Sequence, residues 1–402
     1  MTPQEARPLK ILMVLNRVPF PQNDGGAIAL FSSITGYAEN NCELHLLCMN
    51  TTKHFVDEET AVNLFSKYGC FTLVKIDNRP KVVDAFFNLF SKQSYILQRF
   101  SSPDFREKLI EILKEKEFDF VHLDTLSCTL YIDTIRKYSK AKVVYRSHNV
   151  EYQIWERSAL NEANFLKRWY LKVQAKRLEK FEKEVLKKTD LVLAISRDDE
   201  MVFSKLTNSK VLLLPAGMLV SPSLPIATSA RDIFFIGSFD WLPNIQGMEW
   251  FFETIWEDLK IRFPNLTFFI AGKKMPESIL KLQDERITPL GEVEDAKQFM
   301  LSHGVMIVPL VSGSGIRIKI VEAMALGKAI IATTIAAEGL GITNGENILI
   351  ADSSEEFRVQ LEKCLDIDFV NKVGRKAHSF ALEHFQNKRI FEELTNYYLQ
   401  NA

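Results

Sequence analysis

The chain has 402 residues, 47% of them apolar and 25% charged, with 50 Lys and Arg against 51 Asp and Glu and a formal net charge of −1. That length accommodates two cores, and the balanced charge gives no whole-molecule field that would draw in a nucleic-acid backbone, so no nucleic-acid partner is expected. The five cysteines, Cys42, Cys48, Cys70, Cys128 and Cys364, are odd in number and scattered, which argues against a disulfide framework or a zinc pattern. No apolar run approaches the roughly 20 residues of a membrane span and no leader-like stretch precedes Lys10. The expectation is a cytoplasmic protein, with peripheral attachment to the inner face of a membrane left open.

Short apolar, β-branched runs recur at 11–15 (ILMVL), 44–49, 71–76, 119–124, 142–148, 191–196 and 211–215, separated by amphipathic stretches long enough for crossover helices. Runs apolar on both faces that alternate with helices predict a parallel sheet covered on both sides. The loop after the first run, Asn23, Asp24, Gly25 and Gly26, precedes a helix expected to start near Ala27. Glycine lets backbone approach a ligand and a helix start offers free N–H groups, so this loop is either a ligand contact or an ordinary turn. The run KVVYR leads into Ser147, His148 and Asn149, which puts an imidazole at a strand's carboxyl end, where open α/β sheets bind ligands. His45, His122 and His303 sit within or beside apolar runs and read as structural.

Residues 164–188 form a long basic helical pattern carrying Phe165, Trp169, Tyr170 and Phe181. It reads either as a core-packing helix with a solvated face or as a docking surface for anionic lipid. The Pro- and Ser-containing stretch 221–232 reads as a linker. After it DIFFIG, LTFFIAG, GVMIVPL, KAIIATT and NILIAD supply a second parallel sheet, and a helical pattern from about Lys376 carries Phe380, Phe385, Phe391, Leu394 and Tyr398 to the end. The predicted architecture is α/β, with doubly wound domains at 1–220 and 230–375 facing a cleft and a terminal helical segment 376–402.

The segment VPLVSGSGIRIKIVEAMALGKAIIAT carries the most chemistry. A strand gives way to a loop with Gly313 and Gly315, then to a helix with Ile318, Val321 and Ala325 on one side, stopped at Gly327. Gly315, Lys319 and Glu322 are spaced to line another face near the positive end of the helix dipole. Loop amides with Arg317 and Lys319 suit a diphosphate, and Glu322 can accept hydrogen bonds from vicinal hydroxyls. Asp198–Asp199 and Glu355–Glu356 invite a metal reading, but carboxylates in a helix's first turn are ordinary capping chemistry, and no metal or cofactor is expected.

On these residues the chain resembles glycosyltransferase family 4. The resemblance rests on the Gly-Gly loop, the strand-to-His148 turn, the Gly-ending strands of the second half, EAMALGKAIIAT and the terminal helix. FIGSFDWLPNIQG, GSGIRIKIVEAMALGK and AAEGLG are similar to a subgroup associated with bacterial exopolysaccharide assembly. The resemblance implies the GT-B fold and metal-independent, retaining transfer of a hexose-type sugar from a nucleoside diphosphate sugar to a saccharide or lipid-linked acceptor. It implies an acceptor-binding first domain, a donor-binding second domain and a terminal helix crossing back to the first. It puts Glu322 on the donor ribose, Gly313, Ser314, Gly315 and Ile316 around the diphosphate and sugar, Gly291, Glu292 and Val293 beside the base, and Gly237 among the donor contacts. His148 would face the transferred sugar, and Asp24, Gly25 and Gly26 would border the reaction centre.

Two departures stand out. The family's Glu-x7-Glu pair has Ser314 at its first position, and a hydroxyl hydrogen-bonds without bringing charge. Gly237–Gly247 lacks the Arg and Lys common there, which leaves Arg317 and Lys319 to compensate the leaving diphosphate. A sugar-nucleotide epimerase and a non-catalytic nucleotide-sugar-binding protein are the alternatives.

Overall fold

The computed structural model describes residues 7–22, 24–221, 232–282, 284–313 and 316–401, and the statements that follow concern those residues. The chain divides into two compact units, Met1–Gly217 with Lys388–Ala402, and Met218–Asn387.

The first unit is built on β1 (Lys10–Leu15), β2 (Glu43–Thr51), β3 (Gly69–Ile76), β4 (Phe120–Asp124), β5 (Lys142–Ser147), β6 (Leu191–Ala194) and β7 (Lys210–Leu213). These form one seven-stranded parallel sheet in the order β3-β2-β1-β4-β5-β6-β7. The all-apolar runs follow from burial on both faces: Ile11, Met13 and Leu15 enter one core while Leu12 and Val14 enter another across the sheet. The strand order reverses between β1 and β4, so the loops leaving those strands diverge and open a crevice at their carboxyl ends.

The second unit repeats the plan with β8 (Asp232–Ile236), β9 (Thr267–Ala271), β10 (Ile287–Gly291), β11 (Val305–Val308), β12 (Ala329–Ala332) and β13 (Leu349–Ile350). They pair as a six-stranded parallel sheet, β10-β9-β8-β11-β12-β13, reversing between β8 and β11. Ile233 and Phe235 face one core, Phe234 and Ile236 the other. The sequence announces five of these strands and misses β10, whose run Ile-Thr-Pro-Leu-Gly is interrupted by Pro289. The strand lies at the sheet edge with a register shift between Pro289 and Gly291, where a missing N–H is tolerated.

The terminal region differs from expectation. In place of one segment from about Lys376, helix Ile367–His384 ends in the second unit and helix Asn387–Asn401 belongs to the first. The break is held by backbone pairing: Met218 N–H donates to Phe385 O at 2.7 Å and Asn387 N–H donates to Met218 O at 3.0 Å. Phe385 therefore packs into the second unit, while Phe391, Leu394 and Tyr398 pack into the first. The same pairing gives Met218–Ser221 to the second unit, so the first unit's opening portion ends at Gly217; the expected linker lies, between Ser221 and Asp232, outside the described residues. The basic helix spans Phe165–Leu186, started by Asn164, whose Oδ1 accepts from Lys167 N–H at 3.1 Å. No helix among the described residues is long and apolar enough to cross a membrane.

Candidate functional site

In the first unit the loop carrying Arg17 and Asp24 follows β1 and His148 follows β5, on either side of the strand reversal. The helix after β1 starts at Gly25, two residues earlier than expected, because the Asp24 carboxylate caps it and accepts from Ala27 N–H at 3.0 Å. Arg17, on the same loop, donates from Nη1 to Asp24 Oδ2 at 2.9 Å and also lies 3.3 Å from the ring nitrogens of His54. Burial works against the Asp24 charge, yet Arg17 and the Ala27 N–H hold its carboxyl below the usual range. A Cβ at Gly26 would come within 2.6 Å of Arg17 Nη2, so a larger residue in this first helical turn would displace the Arg17 guanidinium. Asn23 lies outside the described residues.

His148 directly follows β5, as the sequence implies. Its Nε2 is 2.5 Å from Oδ1 of Asp124, the fully buried last residue of β4. Asp124 is also approached by His122 Nε2 at 3.4 Å, accepts from Ser33 Oγ at 3.3 Å, and pairs in register with Arg146, which is itself fully buried. Arg146 donates to Ser33 Oγ and, at 3.2 Å, to Ala29 O. Burial alone would neutralise Asp124. His148, His122 and Arg146 reverse that and hold its carboxyl far below the ordinary range, so it is an anion at any working pH. His122, by contrast, has its protonation suppressed by burial, against the pull of Asp124.

The network continues inward. His122 Nδ1 is 2.9 Å from Tyr37 Oη, which is 2.8 Å from Tyr398 Oη on the terminal helix. With Nε2 engaged by a buried carboxylate, the His148 ring is fixed in orientation and Nδ1 is the nitrogen left for a ligand. Behind it, helix Glu151–Asn161 has no side-chain cap of its own. Buried Glu182 serves instead, accepting from Glu151 and Tyr152 N–H at 3.4 Å and from Tyr145 Oη at 3.3 Å.

In the second unit, Gly237, Gly291 and Gly313 leave the carboxyl ends of β8, β10 and β11. Gly237 N–H donates to Ala271 O at 3.1 Å, and Gly272 N–H donates to Gly291 O at 2.7 Å, so the loops after β8, β9 and β10 are held together. Trp241 and Gly313 bring the loops after β8 and β11 into contact, on either side of the strand reversal. Gly313 has φ +112, and a Cβ there would stand 2.9 Å from both Trp241 and Arg317. Arg317 lies just before helix Ile318–Ala325, its guanidinium 4.7 Å from the Trp241 ring centroid. Burial lowers its pKa to about 10 against the opposing carboxylate of Glu338, and it remains a cation. Arg317 is thus a buried stacked charge at the reversal point.

Lys319 and Glu322 share one helix face, as their spacing predicts, and their charged groups are 2.5 Å apart. The buried side of this helix is Ile320, Val321, Ala323, Met324 and Ala325, while Ile318, placed on the same side as Val321 and Ala325 by spacing, is only partly covered where it opens the first turn. Ile316 and Val293 pack partly buried against the core beneath. Glu292 pairs with Lys273 at 3.2 Å, and Lys274 with Asp240 at 2.9 Å. Ser314 and Gly315 lie outside the described residues. Lys328, which closes the motif, points away from this face: buried, it donates to Leu301 O at 3.1 Å and His303 O at 2.6 Å, and burial lowers its pKa to about 8.

Asp198–Asp199 and Glu355–Glu356 open helices Arg197–Leu206 and Ser354–Cys364, where Ser196 accepts from Asp199 N–H at 3.1 Å and Ser353 from Glu356 N–H at 3.3 Å. The serines are the caps, and the carboxylates stand in the first turn, where the helix dipole favours them. Sequence reasoning missed Asp124, Arg17 and Trp241. Asp124 and His122 alternate within an apolar strand, and only the neighbouring positions of β4 and β5 reveal that they stand behind His148.

Comparison with known proteins gives a partial family match and structural neighbours across the chain. Residues 230–366 match the family described as Glycosyl transferases group 1. An uncharacterized 44.6 kDa protein of the cps region of Klebsiella pneumoniae is 22% identical over 404 residues, covering 96% of this chain and 98% of that one. Among solved structures, sucrose-phosphate synthase from Thermosynechococcus elongatus superimposes with a TM-score of 0.70 at 14% identity, covering 98% of each chain. HepE of Anabaena, solved with UDP-glucose, superimposes with a TM-score of 0.64 at 16% identity, covering 98% of this chain and 100% of its own. TarM superimposes with a TM-score of 0.69 at 10% identity, covering 99% and 100%. The chain has the GT-B fold.

Proposed function

We propose that this protein is a retaining glycosyltransferase that moves a hexose-type sugar from a nucleoside diphosphate sugar to a saccharide or lipid-linked saccharide in cell-surface polysaccharide synthesis. It would act in the cytoplasm, in contact with the inner face of a membrane. One observation carries the reading. At the strand reversal of the second unit, inside the segment matching group 1 glycosyl transferases, a buried Arg317 and a Lys319–Glu322 pair sit beside a Gly313 loop.

In this reading the second unit binds the donor. Glu322 accepts hydrogen bonds from the ribose hydroxyls and Lys319, released from its partner, swings to the diphosphate. Arg317 adds fixed charge, and the loop from Gly313 through Ser314, Gly315 and Ile316 supplies amides. Gly291, Glu292 and Val293 border the base, with Gly237 beside them. Cations and amides stabilise the departing diphosphate where other enzymes use a metal ion. The first unit binds the acceptor; His148, oriented by Asp124, hydrogen-bonds the transferred sugar, and Asp24, Gly25 and Gly26 border the reaction centre. The departing phosphate oxygen takes the acceptor proton.

The test is a thermal-shift panel of nucleotide sugars followed by release of nucleoside diphosphate without acceptor. One or a few donors should raise the melting temperature and be hydrolysed slowly. Tight binding with no hydrolysis, and no transfer to any saccharide acceptor, would indicate a binding protein instead; absence of binding by every nucleotide sugar would defeat the reading altogether.

A further inference from the structure

The first unit carries an apolar surface that its own core does not use. Helix Val82–Asn88 is inverted relative to an ordinary amphipathic helix. Its one buried residue is polar: Asn88 donates to Gln93 O at 3.0 Å and to Gln98 Oε1 at 2.6 Å, and accepts from Gln174 Nε2 at 3.2 Å and Arg177 Nη1 at 3.0 Å. Val82, Val83, Phe86, Phe87 and Phe90 point outward, with exposures from 58% at Phe86 to 87% at Val82. The three phenylalanines gather around Phe86, with ring centroids 5.9 Å to Phe87 and 6.1 Å to Phe90. A helix clamped by its polar residue with its aromatic side in water is unfavourable alone and marks a surface that something covers.

The clamp ties this helix to Phe165–Leu186, at Gln174 and Arg177. About 8 Å along that helix from Gln174, at 1.5 Å per residue, stands Trp169, 52% exposed. Phe165 and Leu166 precede it, and with Leu160 across the helical hairpin they are 68–75% exposed.

Charge identifies the occupant. Residues 77–92 hold Arg79 and Lys81, both paired with Asp77, and Lys92 against Asp84, while residues 162–180 hold six basic residues against Glu162, paired with Lys167, and Glu179, in a chain whose overall charge is −1. A symmetric contact with a second copy would set this basic patch against itself. Outward aromatic rings flanked by flexible lysines are instead suited to an interface whose headgroups are anionic and whose next layer is hydrocarbon.

We infer that the Val82–Phe90 segment and the Leu160–Trp169 hairpin tip form a docking surface for an anionic phospholipid bilayer, with Phe86, Phe87, Phe90 and Trp169 entering the headgroup layer and the surrounding Lys and Arg meeting lipid phosphate. This site lies within the first unit and is tested independently of donor binding.

The experiment is flotation of the full chain with vesicles of phosphatidylcholine alone and with vesicles containing roughly one-third phosphatidylglycerol. The protein should float with the anionic vesicles, remain unbound with the neutral ones, and be released by high salt. Phe86→Ser, Phe87→Ser and Phe90→Ser combined should weaken binding by about tenfold or more, and Lys172→Glu with Lys176→Glu should do the same. Trp169 should be quenched by brominated lipid, a signal lost in Trp169→Phe. An unchanged far-ultraviolet spectrum and melting temperature establish that the variants are folded, since every altered side chain is solvent-facing. Failure of the wild type to bind, equal binding to neutral vesicles, or lipid-free self-association that the triple serine variant abolishes would each overturn the inference, the last by assigning the surface to a second copy.

Discussion

His148 and Asp124 stand 2.5 Å apart, the first at the mouth of the sheet and the second wholly buried beneath it. An anion held in place by Arg146 and His122 orients an imidazole that a ligand can reach. His148→Ala is expected to lower turnover by about 10²-fold while leaving nucleoside diphosphate affinity nearly unchanged. Steady-state kinetics beside calorimetric binding check this; an equal loss of both would return His148 to a structural role. Asp124→Asn should reproduce the kinetic defect and also cost about 3 kcal/mol of stability, because it leaves buried Arg146 without its counter-charge.

Arg317 is expected to act through its planar fork as well as its charge, because it stacks on Trp241. Arg317→Lys should therefore remain impaired, and Lys319→Ala should reduce turnover more than donor affinity, since stabilisation that grows as the leaving group departs is what raises the chemical rate. Near-native turnover in both Arg317→Ala and Lys319→Ala would move diphosphate compensation to Lys273 or Lys274.

Transfer is expected to persist in excess chelator. The acidic pairs that look metal-like stand in the first turns of helices capped by Ser196 and Ser353, and Arg317 and Lys319 lie beside the proposed phosphate loop. Loss of activity under chelation, restored by manganese or magnesium, would sink this expectation.

Glu182 gives a pH prediction. Burial, and then the nearby carboxylate of Glu151, raise its pKa to about 8, well above its unfolded value near 4.5. Below about pH 4.5 the carboxyl is protonated in both states; above it the unfolded chain releases the proton first, so stability falls as pH rises toward 8 and then levels off. Glu182→Gln, which stays neutral throughout, should match the wild type near pH 4.5 and melt several degrees higher at pH 8.5. Melting curves across that range decide it: parallel curves would mean that Glu182 is charged in the folded state.

Much of this was legible in the residues because both sheets are covered on two faces, which writes strands as apolar runs, and because loops that lack a Cβ must be glycine. The Lys319–Glu322 face followed from helical spacing, and His148 from its place after a strand. What escaped detection depends on which strands become neighbours. Asp124 reads as one polar end of an apolar run until β4 lies beside β5, and Arg317 reads as a phosphate-loop cation with nothing to show that Trp241, far away in sequence, stacks on it. The break at Phe385–Gln386 was hidden because helical periodicity continues through it, and only pairing with Met218 interrupts the helix.

The hydroxyl contact between Tyr37 and Tyr398 joins positions 361 residues apart. Translation therefore produces the whole of Met218–Asn387 before it produces the helix that closes the older half, and the usual amino-first order of domain maturation cannot hold. Until then the pocket for Phe391, Leu394 and Tyr398 stands open, a nascent intermediate with exposed apolar surface that chaperones would recognise. A premature stop or a bulky carboxyl-terminal fusion would consequently injure the half of the molecule encoded first, leaving the half encoded nearest the lesion intact.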